Sequence, residues 1–222
     1  MTRRGRVLLK VVVWALCLTP LLTLGHRLLT DPLVTNPISV ATNTLGDWTL
    51  RILLLSLSMT PLRLLFGLSW PVTLRRLLGL FAFFYACLHF TVWIVVDHFF
   101  DWPEMGTDIL KRPYITVGMS ALTVLIPLAA TSTAGMIRRL GGTAWRRLHR
   151  LAYAAGILAV LHFLWLAKVG RTDQYYHAGW LALVLGIRAW DAARRLVRKS
   201  RASRPEAAPA LADAGRVRAG TD

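Results

Sequence analysis

Residues 75–96 read RRLLGLFAFFYACLHFTVWIVV. Two arginines open the stretch, and twenty residues without a formal charge follow. Crossing a bilayer takes about 20 mostly apolar residues in a helix, so this segment is long enough to span. One ionisable side chain, His89, lies well inside it. An ionisable residue at that depth is a functional candidate by default.

The same pattern recurs along the chain. Spans are expected at about residues 7–25, 48–66, 77–96, 115–130, 151–167 and 175–190. The first resembles a signal peptide in having basic residues before an apolar core. Its core is long and no small-x-small cleavage site follows, so it reads as a retained helix. The longest loop, about residues 26–47, contains Asp31-Pro32 and Asn36-Pro37, which are turn signals.

Composition agrees with a membrane protein. The 222 residues are 55% hydrophobic yet carry a formal net charge of +16. A soluble nucleic-acid binder or a disordered basic chain does not combine that charge with so much apolar residue, so no nucleic-acid partner is expected. Six spans with a cytoplasmic N-terminus put all but six of the 27 basic residues inside. The exceptions are Arg27, Arg51, Lys111, Arg112, Lys168 and Arg171. That bias follows the positive-inside rule in every loop, whereas five or seven spans would strand a basic cluster outside. The expected fold is therefore an all-α, integral-membrane six-helix bundle with both termini cytoplasmic. It occupies residues 1–199, and a disordered cytoplasmic tail rich in Ala, Arg and Pro occupies 200–222. Cys17 and Cys87 both lie in apolar runs and offer no disulfide framework, thiolate zinc site or CxxC pair.

Histidines carry the chemistry. His26, His98 and His177 fall at helix ends or loops, where a polar aromatic ring is ordinary. Arg75 and Leu148 mark where the third and fifth spans enter from the inside, and His89 and His162 follow them at the same interval. At about 1.5 Å per residue each histidine is about 21 Å along its helix, in the outer half of a core about 30 Å thick. Two neutral imidazoles at one level suit axial ligation of a haem iron. Phe83, Phe84, Phe90, Trp93, Phe163 and Trp165 lie nearby in sequence to pack a porphyrin. The alternative is a pair of structural histidines bonding between helices.

His149 stands at the inner mouth of the fifth span. The thirteen steps of ideal helix from it to His162 turn through about 220° net, so the two would not share a face unless Gly156 permits an adjustment. The matching inner position on the third span is Arg75, which has no lone pair for iron, so a second bis-histidine haem is not expected. Arg75, Arg76, Arg146, Arg147 and His149 cluster at that mouth. They suit an anionic group such as a flavin phosphate, or they are only positive-inside anchors.

Several stretches carry a family resemblance: Thr60-Pro61-Leu62-Arg63, Arg75-Arg76-Leu77-Leu78-Gly79-Leu80, Leu88-His89 and Lys111-Arg112-Pro113-Tyr114-Ile115-Thr116-Val117-Gly118. Thr131-Ser132, Trp145-Arg146-Arg147-Leu148-His149 and His162-Phe163-Leu164-Trp165 complete them. In order and spacing the chain resembles the MsrQ (YedZ) family, within the ferric-reductase-like transmembrane proteins. These are the haem-binding subunits of bacterial methionine sulfoxide reductase systems.

The resemblance covers about residues 5–195. It implies haem b and FMN as cofactors, with electrons taken from the quinone pool or a cytoplasmic flavin reductase. It implies a multi-pass protein of the bacterial inner membrane, paired as a heterodimer with a periplasmic molybdopterin reductase (MsrP) that repairs oxidised proteins. His89, His162 and His149 match the family's histidines, and catalysis of sulfoxide reduction would belong to the partner. The acidic loop from Asp97 to Asp108 is a candidate dock or simply a solvated loop. A stand-alone ferric or cupric reductase is the first rival. A transporter using the histidines as a proton relay is the second, weakened by the lack of Asp or Glu within the spans.

Overall fold

The computed structural model describes residues 2–166 and 172–202, all helix and short connections. Residues 203–222, and Lys168 and Arg171 of the charge pattern, lie outside the described residues, as does most of the expected tail.

Among the described residues eight α-helices follow in order. They are α1 (Arg3–Thr30), α2 (Pro37–Phe66), α3 (Arg75–Thr91), α4 (Trp102–Lys111), α5 (Pro113–Ala130), α6 (Ala134–Leu148), α7 (Leu151–Trp165) and α8 (Asp173–Ala202). A 3₁₀ turn, Pro71–Leu74, leads into α3, and a π-helical segment, Val92–Asp97, extends it. The starts are chemically marked. Asn36 caps α2, its side chain accepting from Ser39 N–H at 2.9 Å, and Pro37 occupies the first turn. Asp101 caps α4 in the same way through Glu104 N–H, and Thr133 caps α6 through Met136 N–H. Gly67 ends α2 with φ of 68°, a conformation that glycine adopts without strain.

Among the described residues four helices are long and apolar enough to cross a membrane: α1, α2, α3 with its flanking turns, and α5. The pair α6 and α7 makes a fifth candidate if its 45° bend is one broken span. The expected span at 175–190 falls on α8, which is too polar to count among these.

Two compact units divide the chain, Met1–Leu185 and Gly186–Asp222. Within the first, α2 is the central element. It buries Leu45, Leu50, Ile52, Leu53, Leu54 and Leu57 and packs most extensively on α3, as α5 does on α7. By contrast, α1 exposes Val7, Leu8, Val11, Val12, Trp14 and Leu16. An apolar face of that extent suits lipid, not water. Polar bonds fix the helix pairs. Tyr85 donates to the Cys17 carbonyl at 2.6 Å, joining α3 to α1. Trp180 Nε1–H donates to Ser58 Oγ at 2.9 Å, and Ser56 Oγ–H to the Arg75 carbonyl at 2.9 Å. Gly156 lets α7 close on α2: a Cβ there would stand 2.8 Å from Leu57 Cδ1. In the second unit, the helical turns carry an Arg195–Asp191 ion pair at 2.9 Å and Arg194 over the Trp190 ring.

Candidate functional site

His89 reaches the site from the last turn of α3, and His162 from the last turn of α7. Their ring centroids lie 6.3 Å apart with the planes at 76°. Each ring is held from behind by main chain. His89 Nδ1 is 2.9 Å from the Thr42 carbonyl oxygen of α2, and His162 Nδ1 is 2.7 Å from the Tyr114 carbonyl oxygen of α5. A carbonyl can only accept, so both Nδ1 atoms carry the proton. Both Nε2 atoms therefore keep a lone pair.

A cavity of about 310 Å³ contains both rings. Its walls are mostly aliphatic and aromatic, among them Leu50, Leu53, Phe90, Trp93, Leu122, Leu125 and Phe163, with Asp97 and Arg112 also lining it. Of the aromatic residues expected around the pair, Phe90, Trp93 and Phe163 line the cavity. Phe83 packs against the core of the first unit, while Phe84 and Trp165 are exposed.

The third histidine is elsewhere. His149 caps the end of α6, before the bend and before α7 begins. Its Nε2 is 3.0 Å from Thr131 Oγ1, and its ring stacks on Trp145 at 4.1 Å. Thr131 already gives its hydroxyl proton to the Pro127 carbonyl at 2.6 Å, so the imidazole is the donor to Thr131. Burial, and then the positive charge of Arg75, hold the His149 imidazole below its ordinary value. Arg75 turns toward Tyr153, 3.3 Å from its hydroxyl, whereas Arg76 is exposed. Of the basic cluster, Arg75 and His149 thus sit with Tyr153, Thr131 and Trp145, while Arg76 is exposed. Arg146 bonds locally to Thr143. Among the remaining histidines, His26 is near Thr30, His177 bonds to the Asp173 carbonyl, and His98 lies between the Trp93 carbonyl and Asp108.

The family model described as "Ferric reductase like transmembrane component" matches residues 45–160, which include His89 and His149 and stop two residues short of His162. A protein of Rhodospirillum rubrum is 50% identical over 84% of this chain and 89% of its own length. One from Herminiimonas arsenicoxydans is 52% identical over 75% of this chain and 76% of its own, and one from Ralstonia nicotianae 46% over 82% and 84%. All three are named protein-methionine-sulfoxide reductase heme-binding subunit MsrQ.

The chain belongs to the MsrQ family. Like other members of this ferric-reductase-like group, it is a multi-pass membrane protein.

Thr42 and Tyr114, whose carbonyls hold the rings, and Gly46 and Gly118, against which the rings lie, had no marking in the sequence as site residues. Main-chain acceptors leave no residue signature. The glycines left a weak one: each stands one helical turn after the acceptor, in Thr42-Asn43-Thr44-Leu45-Gly46 and Tyr114-Ile115-Thr116-Val117-Gly118.

Proposed function

We propose that this chain binds one haem b between His89 and His162 and passes electrons across the membrane as the haem-binding subunit of a protein-methionine-sulfoxide reductase. The observation that carries the reading is the pair itself, with Nδ1 tied to a carbonyl on both rings and Nε2 left free. Metal-bound histidines almost always give their other N–H to such an acceptor, which fixes the ring and raises its basicity. Two imidazoles that each bind one metal at about 2 Å through a ring nitrogen have centroids about 6 Å apart, near the 6.3 Å found.

Among the described residues no group of three or more His, Cys, Asp or Glu is placed to hold a bare metal ion. A porphyrin would bring its own nitrogen donors, so His89 and His162 would be the only side chains it needs from the chain. The bound haem would take up and release one electron at a time. The chain's residues orient both imidazoles and line most of the site with apolar side chains.

The finer parts of the reading rest on the charge pattern and the family. The charge bias supports six spans, with α8 as the last, and both termini in the cytoplasm. A bacterial inner-membrane location, a periplasmic molybdopterin partner (MsrP) in a heterodimer, and a quinone or flavin reductase as donor follow from the family. FMN is assigned to the Arg75 and His149 end on the basic cluster and the family alone.

A reduced-minus-oxidised spectrum of purified protein, with haem and flavin quantified, tests this. A low-spin b-type spectrum at about one haem per chain is expected, with sulfoxide reduction only when the periplasmic partner is added. A colourless, well-folded preparation overturns the reading. Ferric chelate reduction without any partner favours the stand-alone reductase.

A further inference from the structure

We infer that Gly46 and Gly118 are positioning residues for the two imidazoles, forming matched half-sites on α2 and α5. This rests on the haem reading above and deepens it.

The carbonyl of residue i in an α-helix accepts from the N–H of residue i+4 and has one lone pair left. Side chains lean toward the helix N-terminus, so the side chain of residue i+4 covers the turn that contains that carbonyl. A ring N–H from a neighbouring helix can reach the spare lone pair only if that cover is missing. Both acceptors here meet the requirement. Thr42 is followed four residues later by Gly46, and Tyr114 by Gly118. The space has been taken by the ring in each case. A Cβ on Gly46 would lie 3.2 Å from His89 Cε1 and 3.3 Å from Nδ1. A Cβ on Gly118 would lie 2.8 Å from His162 Nδ1 and 3.0 Å from Cε1.

The duplication argues against accident. Acceptor and histidine are 47 residues apart in one half-site and 48 in the other. Each half-site is built on one of the two best-packed helix pairs, α2 with α3 and α5 with α7. Among the described residues no other glycine lies against a histidine ring: a Cβ on Gly156 would meet Leu57, one on Gly142 Arg146, and one on Gly25 or Gly106 nothing within 4 Å.

The two sites differ in tightness, and this sets the expected results. At Gly118 the ring has to shift, because the added Cβ would stand only 2.8 Å from its Nδ1. Gly118→Ala breaks the bond to Tyr114 and swings Nε2 off its axis. Haem retention should fall about 10- to 100-fold, the usual cost of losing a partner that orients a ligand. The haem that remains should be partly high-spin. At Gly46 a shift of a few tenths of an ångström suffices, so Gly46→Ala should keep a low-spin haem. Its weaker Nδ1–H bond makes His89 a poorer donor to ferric iron, so the midpoint potential should rise.

The experiment compares Gly118→Ala, Gly46→Ala and the control Gly25→Ala in the full-length purified protein. It reads haem per chain, spin state by electron paramagnetic resonance, midpoint potential and helix content. A role in helix packing alone would lower haem and helix content together and leave the spin state and potential of the remaining haem unchanged. That outcome overturns the inference, as does wild-type-like spin state and potential in both site variants. If Gly118→Ala fails to insert, the potential of Gly46→Ala decides. A wild-type protein without haem defeats the haem reading instead, and the two failures are thus distinct.

Discussion

Replacing His149 by alanine separates the two levels of histidine in this protein. Its imidazole donates to Thr131 at 3.0 Å and stacks on Trp145 at 4.1 Å. Losing the hydrogen bond costs about 1 kcal/mol, and losing the ring pair about 0.5–1.5 kcal/mol more. Nearby bonds survive, since Trp145 Nε1–H donates to the Thr131 carbonyl and Thr131 to Pro127. Together the two losses come to about 2 kcal/mol, small enough for the helices to persist. His149→Ala should then insert normally and keep a full low-spin Soret band.

His89→Ala and His162→Ala leave no orphaned acceptor, because Thr42 and Tyr114 retain their helical N–H partners after the ring N–H is lost. On the proposed function each would remove a side chain that holds the haem, so each should lose the low-spin band. Absorbance per inserted chain, with insertion measured separately, is the assay. Loss of the band in His149→Ala, with a bis-imidazole signature kept in either other variant, would refute the assignment.

Three further results are expected. The His149 imidazole is held below its ordinary value of 6.5, so the folded state binds fewer protons than the unfolded one as pH falls. Its contribution to stability is complete above about 6.5 and is lost as pH drops below it, so thermal stability should decline more steeply with acid in wild type than in His149→Gln; equal slopes would sink the idea. Gly156→Ala forces a Cβ against Leu57 Cδ1 and should cost about 1–3 kcal/mol by overpacking, while Leu57→Ala alone should cost about 2–5. The double variant should cost clearly less than the two together, and strict additivity in denaturation measurements would count against the contact. Tyr85→Phe removes the tie to the Cys17 carbonyl at a cost of about 0.6–1.7 kcal/mol, the range for bonds between membrane helices, read as a shift in the unfolding equilibrium in detergent. A loss above about 3 kcal/mol would mean that the bond does more than join α3 to α1.

The helical, membrane-spanning character and the His89–His162 pair were legible because both depend on side-chain type: long apolar runs, and an imidazole inside each of two of them. What stayed hidden depends on main chain or on signals with two meanings. Asn36-Pro37 is such a signal. It reads as a turn, and also as an N-cap followed by proline in the first helical turn, and the structure uses the second meaning. As a result α2 begins at Pro37 and not near 48, which places Thr42 and Gly46 on a helix beside His89. The loop after the third span hid α4 in a similar way. Its cap, Asp101, sits in a run of acidic residues that also describes a solvated loop.

The break at His149 alters the argument about a second haem. The angle expected between His149 and His162 assumed one continuous helix, but α6 ends at Leu148 and α7 starts at Leu151, with a 45° bend between them. Helical phase therefore does not decide what His149 can do; its partners do. Its Nε2 is engaged by Thr131. At this level of α3 stands Arg75, turned to Tyr153 and close enough for its charge to disfavour protonation of His149. A guanidinium has no lone pair for iron, so no second axial ligand faces the imidazole across this level. A cation beside a neutral histidine and a phenol suits an anionic or quinonoid group better than another porphyrin. On the proposed function, the chain thus carries haem at only one level of the bundle. If electrons cross the bundle, the other level would need a carrier of different chemistry, and quantifying haem and flavin in the same preparation should then give one haem, not two, per chain.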